Sequence, residues 1–232
     1  MNLSRGGAAD PTAPLECVEL QTHPDPTASI IWLHGLGADG FDFVPVVRTL
    51  QGLGAPPARY VFPHAPMRPV TVNSGYVMRA WYDIRGAQID RLEDESGIRQ
   101  SQAQIEALIA REQQRGFARS RIALAGFSQG GAITLQVGLR QREPLAAMVA
   151  LSSYLPLAAS AGAEQAAEAR STPIFMGHGR DDSVVPLARG QASRDALLAL
   201  GHRVQWHEYA IPHSVSEEEI EDLARFLDEA LK

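Results

Sequence analysis

An apolar run, Ile122-Ala123-Leu124-Ala125, gives way to Gly126-Phe127-Ser128-Gln129-Gly130-Gly131 and then at once to residues of helical period. Passing from strand to helix across so few residues requires a tight, strained turn. Glycines two before and two after a serine let the backbone pass close to neighbouring elements while the hydroxyl stays exposed. Ser128 is therefore the candidate nucleophile. An ordinary glycine-softened connection has the same five-residue look, so the meaning of the motif depends on whether the rest of the chain supplies a base and an acid.

Around this turn, short apolar runs alternate with longer helical segments, the pattern of parallel strands joined by crossover helices. The spacing predicts strands at 29–34, 59–63, 121–125, 146–151, 173–177 and 203–209. Leu15-Glu16-Cys17-Val18-Glu19-Leu20 alternates in character and reads as a half-exposed antiparallel edge. Helices are predicted over 97–115, 128–142, 187–200 and 216–231, the last opening on the capping box Ser216-Glu217-Glu218-Glu219. The Ala/Glu-rich stretch 158–170 reads as a surface insertion, a solvated loop or short helix. The acidic run Glu93-Asp94-Glu95 reads as a cap on the long helix rather than a calcium site. Residues 1–12, rich in Gly, Ala, Pro and polar side chains, read as a flexible leader to one domain over 13–232.

Composition narrows the function by exclusion. A formal charge of -6 with no dense Lys/Arg run argues against nucleic acid or an anionic membrane as partner. The single cysteine, Cys17, allows no intramolecular disulfide or cysteine-based metal cluster and fits a reducing, cytoplasmic setting. No run of about 18 apolar residues implies stable membrane insertion.

A serine hydroxyl needs an imidazole to take its proton and a carboxylate to hold that imidazole in the right tautomer. In strand–turn–helix serine sites the order along the chain is nucleophile, acid, histidine, each on a loop after a strand. Of the histidines after Ser128, His202 and His207 fall at or within a predicted strand and His178 closes an earlier one. His213 alone stands in a loop between the last strand and the last helix, where the base belongs. The loop after the preceding strand offers two adjacent carboxylates, Asp181 and Asp182, which topology does not separate. For the oxyanion, the amide of Gln129 at the helix start is one expected donor. The glycine-rich loop His34-Gly35-Leu36-Gly37-Ala38-Asp39-Gly40 supplies the other, assigned to the amide of Leu36. That loop lacks the Lys-Ser/Thr ending of a phosphate-binding P-loop. His34 and His64 read as hydrogen-bonded structural histidines, since no metal-ligand spacing surrounds them.

With these residues assembled, the chain resembles the phospholipase/carboxylesterase family of serine hydrolases, which includes acyl-protein thioesterases and small bacterial carboxylesterases. The resemblance rests on six motifs in order: 33–40, Pro63-His64-Ala65-Pro66, Trp81-Tyr82-Asp83-Ile84, 126–131, His178-Gly179 through Val185-Pro186, and Pro212-His213-Ser214. It implies a single-domain α/β-hydrolase fold, with a mostly parallel central sheet flanked by helices, and esterase or thioesterase activity without metal or organic cofactor. It also implies the acid, since the fifth place of the family's His-Gly-x-x-Asp-x-x-Val-Pro pattern is Asp182. The family's oxyanion donors match the Leu36 and Gln129 amides, and Trp81 matches a pocket-wall segment. One departure is Ser152-Ser153-Tyr154-Leu155-Pro156, where relatives commonly have glycine before the tyrosine, a change that bears on the acyl pocket.

The expected reaction is hydrolysis of a carboxylic ester through a Ser128–His213–Asp182 triad and an acyl-enzyme. An alternative is thioesterase or lysophospholipase action on long acyl chains, for which the segment 70–78, with Val77 and Met78, and Leu155 are candidate channel residues beside Trp81. A second alternative is a hydrolase-fold binding module without turnover. The expected partner is a small-molecule ester or thioester, with an acylated protein or lysolipid as alternatives, and exposed apolar area leaves a homodimer open.

Overall fold

The computed structural model describes residues 14–86 and 93–232; the leader expected over 1–12 lies outside them. Among the described residues the strands are β1 (Cys17–Gln21), β2 (Ala28–Leu33), β3 (Ala58–Pro63), β4 (Met67–Val70), β5 (Tyr76–Arg79), β6 (Ile122–Phe127), β7 (Ala147–Leu151), β8 (Ile174–Gly179) and β9 (Val204–Tyr209). The helices are α1 (Val44–Gly52), α2 (Glu95–Gln114), α3 (Gln129–Gly138), α4 (Ala158–Glu164), α5 (Leu187–Ala199) and α6 (Glu217–Ala230).

Seven strands form one sheet in the order β1-β3-β2-β6-β7-β8-β9. Every pair is parallel except β1 with β3, so β1 is the antiparallel edge that its alternation implied. The central strands β6 and β7 are apolar throughout, and β2 is so but for Ser29, because both faces are covered. Ile30 and Trp32 of β2 and Ala123 and Ala125 of β6 face a cluster with Val47 of α1 and Leu223 and Leu227 of α6. The alternate residues Ile31, Leu33, Ile122 and Leu124 face Ile98 and Ile105 of α2 and Ile133 and Val137 of α3.

The differences from the sequence reading have local causes. Periodicity does not predict α1, which carries three valines and a proline in its first turn; burial of Val47 and Leu50 outweighs those weak propensities. The β4–β5 hairpin is hidden by Pro69, which sits in a short two-stranded sheet apart from the main one. Within 158–170, α4 buries Ala161, and a further helical turn, Ala167–Ser171, buries Ala169. Asp94 stands at the N-cap of α2, yet its carboxylate caps nothing there. It accepts from the Asp83 amide at 3.0 Å and pairs with Arg85 at 2.8 Å, tying the loop after β5 to the helix. No helix among the described residues is long and apolar enough to cross a membrane.

At the start of α6 one half of the capping box forms, with Ser216 Oγ accepting the Glu219 amide at 3.1 Å. The Glu219 side chain is buried against Gly177 and the Tyr209 ring, and burial pushes its carboxyl from 4.5 up to about 8. The native state therefore holds a proton that the unfolded chain has released above 4.5. The stability this proton confers is complete below that pH and is lost as pH rises through about 8. Glu219→Gln, neutral at every pH and equally able to occupy a capping box, is expected to melt increasingly above wild type between pH 5 and pH 9. Thermal melts across that range check this; parallel curves for the two proteins would contradict it.

Candidate active site

The site is built on loops at the carboxyl ends of β2, β6, β8 and β9, where an open parallel sheet places its functional groups. Ser128 follows β6 as the N-cap of α3, at φ 54° and ψ -118°. A non-glycine residue there stores about 1–3 kcal/mol of strain, held by its surroundings. Three main-chain bonds provide that hold. The Ser128 amide donates to the Leu151 carbonyl at 2.8 Å, and its carbonyl accepts from the Ala132 amide at 3.1 Å and the Ser153 hydroxyl at 2.7 Å. The glycines make the turn sterically feasible. A Cβ on Gly130 would come 2.6 Å from the His34 carbonyl oxygen, and one on Gly126 would come 2.6 Å from the Gly131 amide nitrogen.

Of the two adjacent aspartates, Asp181 is exposed and Asp182 is buried. Asp182 Oδ1 accepts the amides of Val184 and Val185 at 2.9 and 2.8 Å, which leaves Oδ2 to face His213 Nδ1 at 2.6 Å. Because Oδ2 is the acceptor, Nδ1 is the donor, and the lone pair of the neutral ring resides on Nε2. Two further features bring His213 to this position. Gly179 lacks the Cβ that would come 2.5 Å from the Pro212 carbonyl, and the His213 ring packs on Phe127, next to Ser128, with centroids 4.7 Å apart.

Ser128, Leu36 and Gln129 line one cavity of about 410 Å³. Gln129 is the first residue of α3, so its amide has no intrahelical acceptor. Its side chain is a clamp that sequence reasoning did not anticipate: Oε1 accepts the Trp81 amide at 2.8 Å and Nε2 donates to the Tyr82 carbonyl at 2.7 Å. His34 donates from Nδ1 to the Gly35 carbonyl at 2.7 Å and accepts the Ala65 amide on Nε2 at 3.1 Å. Burial holds this ring down to about 4, so it is a neutral structural histidine. His64 accepts the Gly40 amide at 3.0 Å.

The four residues expected along the acyl pocket are not among those lining this cavity. Trp81 is wholly buried, its indole N–H donating to the His34 carbonyl at 2.9 Å, and Leu155 belongs to the core beneath α3 and α5. Val77 lies exposed on β5, and Met78 packs beside Gly37 and Asn73. The expected segments do reach the wall, but through other residues: Val72 from 70–78, and Tyr82 and Ile84 from 81–84, joined by Tyr154, Val184 and Arg189. Tyr82 and Tyr154 share a 2.6 Å hydroxyl–hydroxyl bond, and the Arg189 guanidinium lies 3.6 Å over the Tyr154 ring. The Trp81-Tyr82-Asp83-Ile84 motif was the available signal, since two of its residues, Tyr82 and Ile84, line the cavity. Ser153 does not reach the cavity; its hydroxyl serves the Ser128 carbonyl. A larger groove of about 660 Å³, between 21–27 and 115–121, carries none of these groups.

A family model described as Phospholipase/Carboxylesterase matches residues 16–231. The chain belongs to the phospholipase/carboxylesterase family. It is thus an ester or thioester hydrolase with the α/β-hydrolase fold. Among relatives, it is 37% identical over 225 residues to acyl-protein thioesterase 1 of Cryptococcus neoformans var. neoformans serotype D, covering 89% of this chain and 93% of that one. It is 34% identical to acyl-protein thioesterase 1 of Yarrowia lipolytica, covering 94% of this chain and 99% of the other. Among solved structures it is similar to Arabidopsis thaliana SOBER1, with a TM-score of 0.83 at 32% identity, covering 88% of this chain and 99% of that chain.

Proposed function

We propose that this family member cleaves carboxylic esters by covalent catalysis at Ser128. His213 Nε2 takes the hydroxyl proton as Ser128 Oγ attacks the substrate carbonyl, and Asp182 supports the imidazolium that results. The amides of Leu36 and Gln129 donate to the oxyanion, aided by the positive end of α3. Collapse of the intermediate expels the alcohol, which takes the proton from His213 and leaves an acyl-serine. Water, deprotonated by the same histidine, then attacks the acyl carbon and releases the acid while Ser128 regains its hydrogen. The observation that carries this reading is the 2.6 Å Asp182–His213 bond, with the His213 ring packed on Phe127, the neighbour of a strained Ser128 that lines a cavity.

A second reading, thioester cleavage from long acyl chains, is favoured by the relatives called acyl-protein thioesterases. The cavity, about 410 Å³ and near the lower end of the usual range for ligand sites, favours short to medium chains. Two measurements on the purified protein test both readings. A fluorophosphonate is expected to label Ser128 stoichiometrically by peptide mass mapping, and failure to label would return the chain to the binding-module reading. Rates over p-nitrophenyl esters from two to sixteen carbons, with matched S-acyl thioesters, are expected to peak at the short end. A maximum on long-chain thioesters would replace the first reading by the second.

A further inference from the structure

Asp182 Oδ2 faces two imidazoles, and the proposed mechanism uses only one. Besides His213 Nδ1 at 2.6 Å, the His178 Nε2 atom lies 3.6 Å away. His178 is buried at the end of β8, and its Nε2–H donates to the Val185 carbonyl at 2.8 Å. Val185 is also the residue whose amide donates to Asp182 Oδ1. The turn from Asp182 to Val185 is therefore closed twice, by its own amides on the carboxylate and by the His178 ring on its last carbonyl.

The slot around this ring is built for an uncharged imidazole. Nδ1 has no hydrogen-bond partner among the described residues. On α5, Gly190 leaves the space that a Cβ would take 2.5 Å from Nδ1, and the Trp206 ring of β9 stacks with its centroid 5.9 Å away at 26°. The charged or titratable groups that face it are Asp182 from its own loop, His213 from the loop after β9, and Glu208 on β9. Burial lowers the affinity of this imidazole for a second proton. A cation here would compete with His213 for Oδ2; a neutral ring fixes the turn without competing.

We propose that His178 is a positioning residue that clamps the Asp182–Val185 turn through the Val185 carbonyl and so holds Oδ2 on His213 Nδ1. This rests on the reading of Ser128, His213 and Asp182 given above. Without the clamp the turn opens, Oδ2 moves off Nδ1, and the imidazolium of His213 loses support. The base then becomes weaker.

Three variants of the full chain separate this role from simple packing. His178→Phe keeps ring volume and removes the donor. His178→Gln places an amide nitrogen as many bonds from Cβ as Nε2, and His178→Asn places one only at the Nδ1 position, short of Val185. Kinetics on p-nitrophenyl acetate from pH 4.5 to 9, normalised to fluorophosphonate-titrated sites, remove any contribution from misfolded protein. The Phe and Asn variants are expected to lose ~10-fold or more in kcat per titrated site with KM within about twofold. The acid limb of their kcat/KM profiles is expected to move to lower pH, because the protonated ring has lost its carboxylate support. The Gln variant is expected to stay within about threefold of wild type with its limb unmoved. If the Phe variant does not fold, the Asn and Gln pair decides. Equal losses in the donor-keeping and donor-lacking variants, or an unmoved acid limb in the latter, would overturn the clamp. If wild type is not labelled at Ser128, the triad reading fails and takes this inference with it; if it is labelled and the donor-lacking variants match wild type, the clamp alone fails.

Discussion

Ser128→Ala is expected to lower kcat/KM on short esters by about 10⁴-fold or more while leaving the fold intact. The size follows from what is lost: with no oxygen at this position no acyl-enzyme forms, and the cavity and amide donors retain only binding and oxyanion stabilisation. The fold survives because the bonds that hold residue 128 are all made by its main chain, to Leu151, Ala132 and Ser153. Alanine also carries the same Cβ, so the left-handed φ costs it no more than serine. Circular dichroism and a thermal melt within about 2 °C of wild type would accompany the loss. A variant that keeps a substantial fraction of the wild-type rate would remove Ser128 from the mechanism.

Asp182→Asn is expected to cost about 10³–10⁴-fold in kcat, and the reason lies in how the carboxylate is held. Oδ1 receives the Val184 and Val185 amides, so an asparagine must put its carbonyl oxygen there and its NH₂ where Oδ2 was. That NH₂ would face His213 Nδ1 as a donor, so the imidazole would present Nδ1 as acceptor and carry its proton on Nε2. The lone pair would then be on the nitrogen remote from the serine. Little else changes, since volume and turn geometry are kept. Burst kinetics with a p-nitrophenyl ester would show acylation slowed with KM nearly unchanged. An Asp181→Asn control, at an exposed position, is expected to sit within about twofold of wild type. The reverse order of sensitivities would transfer the role to Asp181.

Much of the arrangement was legible because its signals are local. The glycines flanking Ser128 report a close approach of backbones, and the loop position of His213 follows from the strand before it and the capping box after it. Asp182 was harder, since adjacent aspartates carry equal topological weight; the resemblance chose between them, and in the structure Asp182 is the buried one. The acyl pocket was the least legible part. Trp81 and Leu155 are apolar and near the right motifs, yet which way a side chain points depends on register against distant elements. Trp81 turns inward because its indole finds the His34 carbonyl, which leaves Tyr82 to meet Tyr154 across 72 positions of sequence. Likewise α1 forms by burying Val47 and Leu50, a tertiary gain invisible to periodicity in a valine-rich segment.

Gly130, Gly179 and Gly190 each leave a space that a single carbon atom would take from a carbonyl or an imidazole essential to the arrangement. Glycine is already the smallest residue, so random change at these codons has only one direction, toward bulk. Substrate range can therefore drift through the exposed hairpin and cavity rim, whereas the machinery beneath has few routes of gradual change open to it.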